Sequence, residues 1–166
     1  MKKLMVILII ISMFCTSCTN TNQTEDTKKK TSSLIIDDIG SEIIEGYMNK
    51  DIGKIKSVFS ENNLYRREKK IEREIEDSFE FIEGEIIEYR DIHGSCGGGR
   101  SINGEFILRL GDGTINEIKT DSNKVYEIYY QICVVDKNDS DNIGVSYILI
   151  TDLEDGDEFE IGISNS

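Results

Sequence analysis

The sequence predicts an α+β domain in which three N-terminal helices pack on an antiparallel sheet. Before Gly84, large apolar residues recur every three or four positions, which is the period of an amphipathic helix. After Gly84 they recur at every second position, which is the period of a half-buried strand. Short turns rich in Gly, Asn and Asp separate the later segments, and such turns join antiparallel neighbours.

The helical period predicts a first helix over 33–50, capped by Ser32 or Ser33. Asp51 is expected to cap a short second helix, which ends before residues 60–63, and the third helix is expected over 66–82. Alternation predicts strands over 85–93, 105–110, 115–120, 124–135, 143–151 and 158–164. Reversals are expected at 103–104, 111–113, 121–123 and 155–156.

The first residues have the layout of an export signal rather than of a folded element. Lys2 and Lys3 precede an apolar run over 4–14 and small residues at 16–17, which predicts a signal peptide over 1–17. Cys18 follows the small pair and resembles the lipid-attachment cysteine of bacterial lipoproteins, whereas Cys15 follows the bulky Phe14. The resemblance implies a chain anchored by lipid to the extracytoplasmic face of the cell membrane. A plain cleaved signal and an uncleaved anchor are the alternatives.

Residues 18–33 contain no large apolar side chain and are expected to form a flexible tether, leaving a single domain over 34–166. The whole chain carries a formal net charge of −13. Leaving out the five lysines, Glu25 and Asp26 of the first 33 residues gives 14 basic and 30 acidic residues, a net charge of −16. A surface this acidic argues against nucleic acid as a partner, because nucleic-acid binding requires Lys and Arg at phosphates.

The segment "GSCGGGRS" at 94–101 has the spacing of a phosphate-binding loop, with Arg100 in place of Lys. Such a loop needs a helix after it, whose N-terminus holds the phosphate. The residues after Ser101 predict an Asn-Gly turn and a strand instead. We therefore expect a flexible hairpin loop here and no nucleotide. The acidic stretches 136–147 and 152–160 depart from a calcium-binding loop and are expected to be polar turns, so neither metal nor cofactor is predicted.

The candidate functional residues lie on the predicted strands. His93 is the only histidine of the chain, and alternation places it on one face with Asp91 and Tyr89, so an Asp-His acid-base pair is geometrically possible. On the strand over 124–135, the apolar face is expected to pack. Glu127, Tyr129 and Gln131 then either line a concave polar surface or meet solvent. The sequence is compatible with either a disulfide between Cys96 and Cys133 or two free thiols.

Together these segments resemble a family of small, uncharacterised Gram-positive lipoproteins whose fold is similar to the nuclear transport factor 2-like, or cystatin-like, group. The resemblance covers about 35–163 and rests on segments such as "SEIIEGYMNKDIGKIKSVFS", "IKTDSNKVYEIYYQICVVD" and "NIGVSYILI". It implies a curved sheet wrapped around helices, a cone whose open end can hold a ligand. Relatives on this fold include isomerases, dehydratases and many proteins without catalysis, and the resemblance transfers no catalytic residue to this chain.

These observations predict a membrane-anchored, non-enzymatic binding module for a small molecule, a peptide or an envelope protein. One alternative is a small isomerase- or dehydratase-type enzyme that uses Asp91 and His93, with Tyr129 or Glu127, in the cone. Another is an acidic immunity or interaction protein, since residues from 111 onward include 13 acidic and 3 basic ones.

Overall fold

The computed structural model describes residues 22–164, with side chains from Ser32 onward. Three helices precede a curved antiparallel sheet of six strands, which confirms the predicted α+β class. The helices are α1 (Asn22–Asn49), α2 (Ile52–Ser57) and α3 (Glu61–Phe81). The strands are β1 (Ile86–Glu88), β2 (Asp91–Ile102), β3 (Glu105–Thr120), β4 (Val125–Asp136), β5 (Gly144–Asp152) and β6 (Glu158–Gly162). The expected signal peptide over 1–17 and Cys18 lie outside the described residues.

Helices α1 and α3 begin earlier than the apolar period suggests. α1 starts at Asn22 rather than near residue 33, so the described part of the expected tether belongs to this helix. The segment contains no Gly or Pro to stop a helix, and the Ser33 hydroxyl donates to the Gly94 carbonyl on β2 at 2.9 Å. Ser60 caps α3, with its side chain accepting from the Asn63 N–H, so α3 starts at Glu61 rather than near 66. The Asp51 cap of α2 is confirmed.

The sheet has the strand order β1-β3-β4-β5-β6, and β2 also pairs with β3, so β1 and β2 together form one edge. The turns at 103–104, 121–123 and 155–156 lie where the sequence predicts them. At the first of these, Asn103 and Gly104 both have positive φ, 52° and 77°, as a two-residue hairpin turn requires.

Two glycine-rich segments are strands, where the sequence predicted reversals. Residues 94–101, expected to be a flexible loop, belong to β2, where Gly98 pairs with Leu110 and Gly99 with Arg109. Residues 111–113, expected to be a turn, continue β3 without interruption. No helix follows Arg100, because Ser101 and Ile102 end β2 and the Asn103 turn leads directly into β3. The expectation that a turn and a strand, rather than a helix, follow Ser101 is therefore confirmed.

Two glycines of β3 are required by packing. A Cβ atom on Gly111 would lie 2.5 Å from the Ile36 Cδ1 atom, and one on Gly113 would overlap the Tyr130 ring. The Tyr130 hydroxyl donates to the Ile36 carbonyl of α1 at 2.7 Å. Burial raises the pKa of this phenol, and the Gly40 N–H faces the same oxygen. Glycine at these positions lets α1 rest directly on the sheet.

The core between the helices and the sheet is built largely from isoleucine and tyrosine. The side chains buried there include Ile36, Ile43, Ile44, Ile55, Ile71, Ile75, Ile115, Ile118, Tyr126, Ile128, Tyr130, Ile148, Ile150 and Ile161.

We expect Gly113→Ala to lower the free energy of unfolding by about 3 kcal/mol, because its Cβ would overpack against Tyr130. Gly97→Ala is the matched control, since its nearest neighbour would be 3.7 Å away at Asp112 Oδ1. Urea unfolding of both variants checks the prediction, and equal stabilities would contradict it.

Asp152 closes the turn between β5 and β6. Hydrogen bonds from the Glu154 backbone N–H, and then the Lys124 ammonium at 3.0 Å, hold the pKa of this carboxyl below its usual value. Because the folded-state pKa is lowered, the resulting stability is present above the unfolded-state pKa of about 3.9 and is lost as the pH falls through the folded-state value. The loss of stability in Asp152→Asn should therefore be largest at neutral pH and shrink towards pH 2.5. Urea unfolding across this range checks it, with Asp155→Asn as control, and a pH-independent difference would contradict it.

Candidate functional site

The two faces of the sheet differ in what covers them. Along β4, Tyr126, Ile128, Tyr130 and Ile132 are buried beneath the helices, whereas Glu127, Tyr129 and Gln131 are half-buried on the opposite side. This confirms the expected division of the strand into a packed apolar face and a more polar face. We call the side of the sheet turned away from the helices the open face.

A line of register shifts crosses three neighbouring strand pairs at the same level. The shifts lie between Ser95 and Gly98 on β2, between Arg109 and Leu110 on β3, and between Gln131 and Ile132 on β4. Bulges of this kind bend a strand and change the direction of its side chains. Aligned across adjacent strands, they produce a concave region on the open face.

A pocket of about 160 Å³ lies at this line of bulges. We refer to it as the bulge pocket, and it is lined by Gly98, Leu110, Gly111, Asp112, Tyr129, Gln131, Ile132 and Ser146. Two of the predicted candidates, Tyr129 and Gln131, are therefore part of it. They come from neighbouring positions on the open side of β4, and the remaining lining residues come from β2, β3 and β5.

The bulge pocket combines an acid, an aromatic ring and an apolar wall. Asp112 is opposite Gln131 in the β3–β4 register, and Thr114 is opposite Tyr129. The Gln131 amide donates to the Tyr129 hydroxyl at 3.4 Å, which links the two β4 side chains. Leu110 is 39% exposed and supplies apolar surface beside these polar groups. The pocket can therefore bind a small group through charge, hydrogen bonds and apolar contact together.

The neighbouring strands add a second tyrosine and further carboxylates. Tyr147 is opposite Gln131 in the β4–β5 register and is 6% exposed. Burial, together with a hydrogen bond to Glu160 and its negative charge, raises the pKa of Tyr147 to about 12. The phenol therefore stays protonated at neutral pH, and its single O–H is donated to the Glu160 carboxylate.

Asp91 and His93 lie on the open face but do not line the bulge pocket. Both are exposed, and His93 is opposite Thr114 on β3. The Asp91 carboxylate accepts a hydrogen bond from the Asn116 amide at 2.6 Å and lies 3.6 Å from the Arg90 guanidinium. Within residues 22–164, the His93 side chain has no hydrogen bond to Asp91. The structure thus places the two residues near each other on β2 without joining them in a closed cavity.

The other two candidates lie away from the pocket. Tyr89 is between β1 and β2 and is 38% exposed. Glu127 is opposite Thr151 in the β4–β5 register. Of the side chains that sequence reasoning missed, Asp112 is the most informative. It was assigned to a turn because two glycines flank it, and the alternation of β3 could have placed it on the open face instead.

Cys96 and Cys133 are free thiols in the structure. Cys133 is buried, and its thiol donates to the Val135 carbonyl at 3.4 Å.

Across residues 22–164, no three His, Cys, Asp or Glu side chains are grouped closely enough to hold a metal ion. In the same part of the chain, no helix has both the length and the apolar character needed to cross a bilayer.

Comparison with known proteins identifies the family but not an activity. The family model described as a domain of unknown function, DUF5104, matches residues 42–154. This is more than half of the chain, and the protein therefore belongs to that family. The matched region runs from α1 to the turn after β5 and includes every residue that lines the bulge pocket. No curated protein shows a significant match to the chain.

Proposed function

We propose that this member of the DUF5104 family is a lipid-anchored binding module on the extracytoplasmic face of the cell membrane, with the bulge pocket as its ligand site. The observation that carries the proposal is the concave combination of Asp112, Tyr129 and Leu110 at a line of bulges on the open face. Binding sites in proteins are typically such preformed concavities, apolar in part, with a few polar groups that orient the ligand.

The position of the pocket favours binding over acid-base catalysis. An acid-base enzyme needs its proton-transfer groups within hydrogen-bond reach of a bound substrate. Asp91 and His93 are exposed on β2, and neither lines the bulge pocket. A second candidate function is an acidic interaction protein for a basic partner, which is favoured by the carboxylates of the open face, among them Asp112, Glu127 and Glu160.

The membrane anchor and the fold group belong to the same proposal. The anchor rests on the layout of residues 1–18, in which Cys18 follows an apolar run and a small pair. Two acyl chains on a cysteine would hold the domain at the membrane, because each buried methylene contributes about 0.8 kcal/mol. We also propose a nuclear transport factor 2-like fold, supported by the order of helices before a curved antiparallel sheet.

Metabolic labelling with radioactive palmitate in a Gram-positive host tests the anchor. The wild-type chain and Cys15→Ser should incorporate label and fractionate with the membrane, whereas Cys18→Ser should lose the label. Labelling that persists in Cys18→Ser and disappears in Cys15→Ser would place the lipid on the other cysteine. An unlabelled wild-type chain would contradict lipid anchoring.

Amide chemical shifts of the full chain in detergent micelles test the binding site. We expect at least one class in a panel of small amines, carboxylates and neutral alcohols to move the signals of Gly98, Asp112 and Gln131. Gly98→Val should weaken that binding at least about tenfold, because a side chain at 98 would lie beside Leu110 and fill the pocket. A panel that leaves these signals unmoved would overturn the proposed function.

A further inference from the structure

We propose that the bulge pocket recognises an alkyl ammonium or guanidinium group. This inference rests on the proposed function, since it names the chemical class that the pocket accepts. It is carried by the placement of Asp112, a carboxylate unpaired among the described residues, beside the Tyr129 ring and the apolar Leu110 side chain.

Asp112 is one of the carboxylates that have no cationic partner within the described residues, and it is the one placed at the bulge pocket. Seven lysines pair with carboxylates elsewhere: Lys50 with Glu85, Lys54 with Glu45, Lys56 with Glu68 and Glu72, Lys70 with Glu74, Lys119 with Glu88, Lys124 with Asp152, and Lys137 with Glu105. Within residues 22–164, the Asp112 carboxylate has neither an ion pair nor a hydrogen bond. It is therefore available to pair with a cation from outside the chain.

Arg100 lies two positions beyond Gly98 on β2, and its charge interacts with the Asp136 carboxylate. A hydrogen bond from the Asn142 side chain is the main cause that lowers the pKa of Asp136, and the charge of Arg100 contributes to the same shift. Asp136 ends β4 and does not line the bulge pocket. The guanidinium thus complements the loop after β4 rather than the Asp112 carboxylate.

The shape and size of the pocket suit a short alkyl cation. A cavity of about 150 Å³ holds a molecule the size of benzene, and the bulge pocket has a volume of about 160 Å³. Ligands of drug size occupy pockets of roughly 300–1,000 Å³. The Leu110 side chain can contact the methylenes of an alkyl stem, and the Tyr129 ring can face the cation itself.

The negative charge of the open face also favours a cation over an anion outside the pocket. Glu127 on β4 and Glu158 and Glu160 on β6 also lack a lysine or arginine partner within residues 22–164. Clustered negative charge raises the local concentration of cations and repels anions. The donor set favours an organic cation over a metal ion, because within residues 22–164 Asp112 is the only carboxylate that lines the pocket.

The cation can come from a free small amine or from a Lys or Arg side chain of a polypeptide. We would titrate the full chain in detergent micelles with n-butylamine, and with n-butanol and butyrate as neutral and anionic probes of similar size. A peptide with one lysine between glycines, capped at both ends, represents the polypeptide source. The measurement is the amide chemical shifts of Gly98, Asp112 and Gln131 in the described part of the chain.

We expect n-butylamine to bind at least about tenfold more tightly than n-butanol, and butyrate not to bind. Asp112→Asn should remove this preference, since the amide keeps the shape of the side chain but not its charge. Asp91→Asn is the matched control, because Asp91 is on the same face, outside the pocket and next to Arg90. If the lysine peptide binds much more tightly than n-butylamine, the cation comes from a polypeptide. If the two bind with equal affinity, the cation is a free amine.

The outcomes separate this inference from the proposed function. If n-butanol or butyrate binds as well as n-butylamine, or if Asp112→Asn binds the amine unchanged, the cation preference is wrong while the pocket remains a binding site. If no probe of any charge moves the pocket signals, both the inference and the proposed function fail.

Discussion

The close contact between helix α1 and the sheet is the constraint on which the rest of the structure depends. The Tyr130 hydroxyl donates to the Ile36 carbonyl, and Gly111 and Gly113 leave the space that Ile36 and the Tyr130 ring occupy. The phenol thus reaches the backbone of α1 at Ile36 and Gly40, where a helix normally forms its own hydrogen bond. Any side chain at residue 113 would collide with the Tyr130 ring, whose hydroxyl bonds the helix.

This contact determines on which side of the sheet a ligand can be held. At the level of Gly111 and Gly113, the helix-facing side is filled by Ile36 and Tyr130. The bulge pocket lies on the other side of the same strands, at the register shifts of β2, β3 and β4. Gly111 takes part in both features, since it accommodates Ile36 on one side and lines the pocket on the other. Packing of the core and shaping of the pocket are therefore coupled through the backbone of β3.

The sequence predicted the elements that depend on neighbouring residues. It missed those that depend on contacts with residues distant in the sequence. The change of period at Gly84 and the turn at Asn103 and Gly104 depend on neighbouring residues, and both match the structure. Residues 111–113 have the composition of a turn, but their glycines are required because Ile36 of α1 packs against Gly111 and Tyr130 of β4 packs against Gly113. The alternation of β4 identified Tyr129 and Gln131 on the open face. It could not locate the pocket, which requires the register of several strands.

Two groups of carboxylates in the domain have different physical consequences. Asp51 caps α2 and Asp152 closes the turn after β5, so both satisfy backbone N–H groups and support the fold. Asp112 makes no such contact within the described residues, and the open face also carries Glu127, Glu158 and Glu160. Like charges on one surface repel each other and lower stability. A cation bound there would relieve this repulsion, so the binding of a cation and the stability of the sheet are expected to reinforce each other.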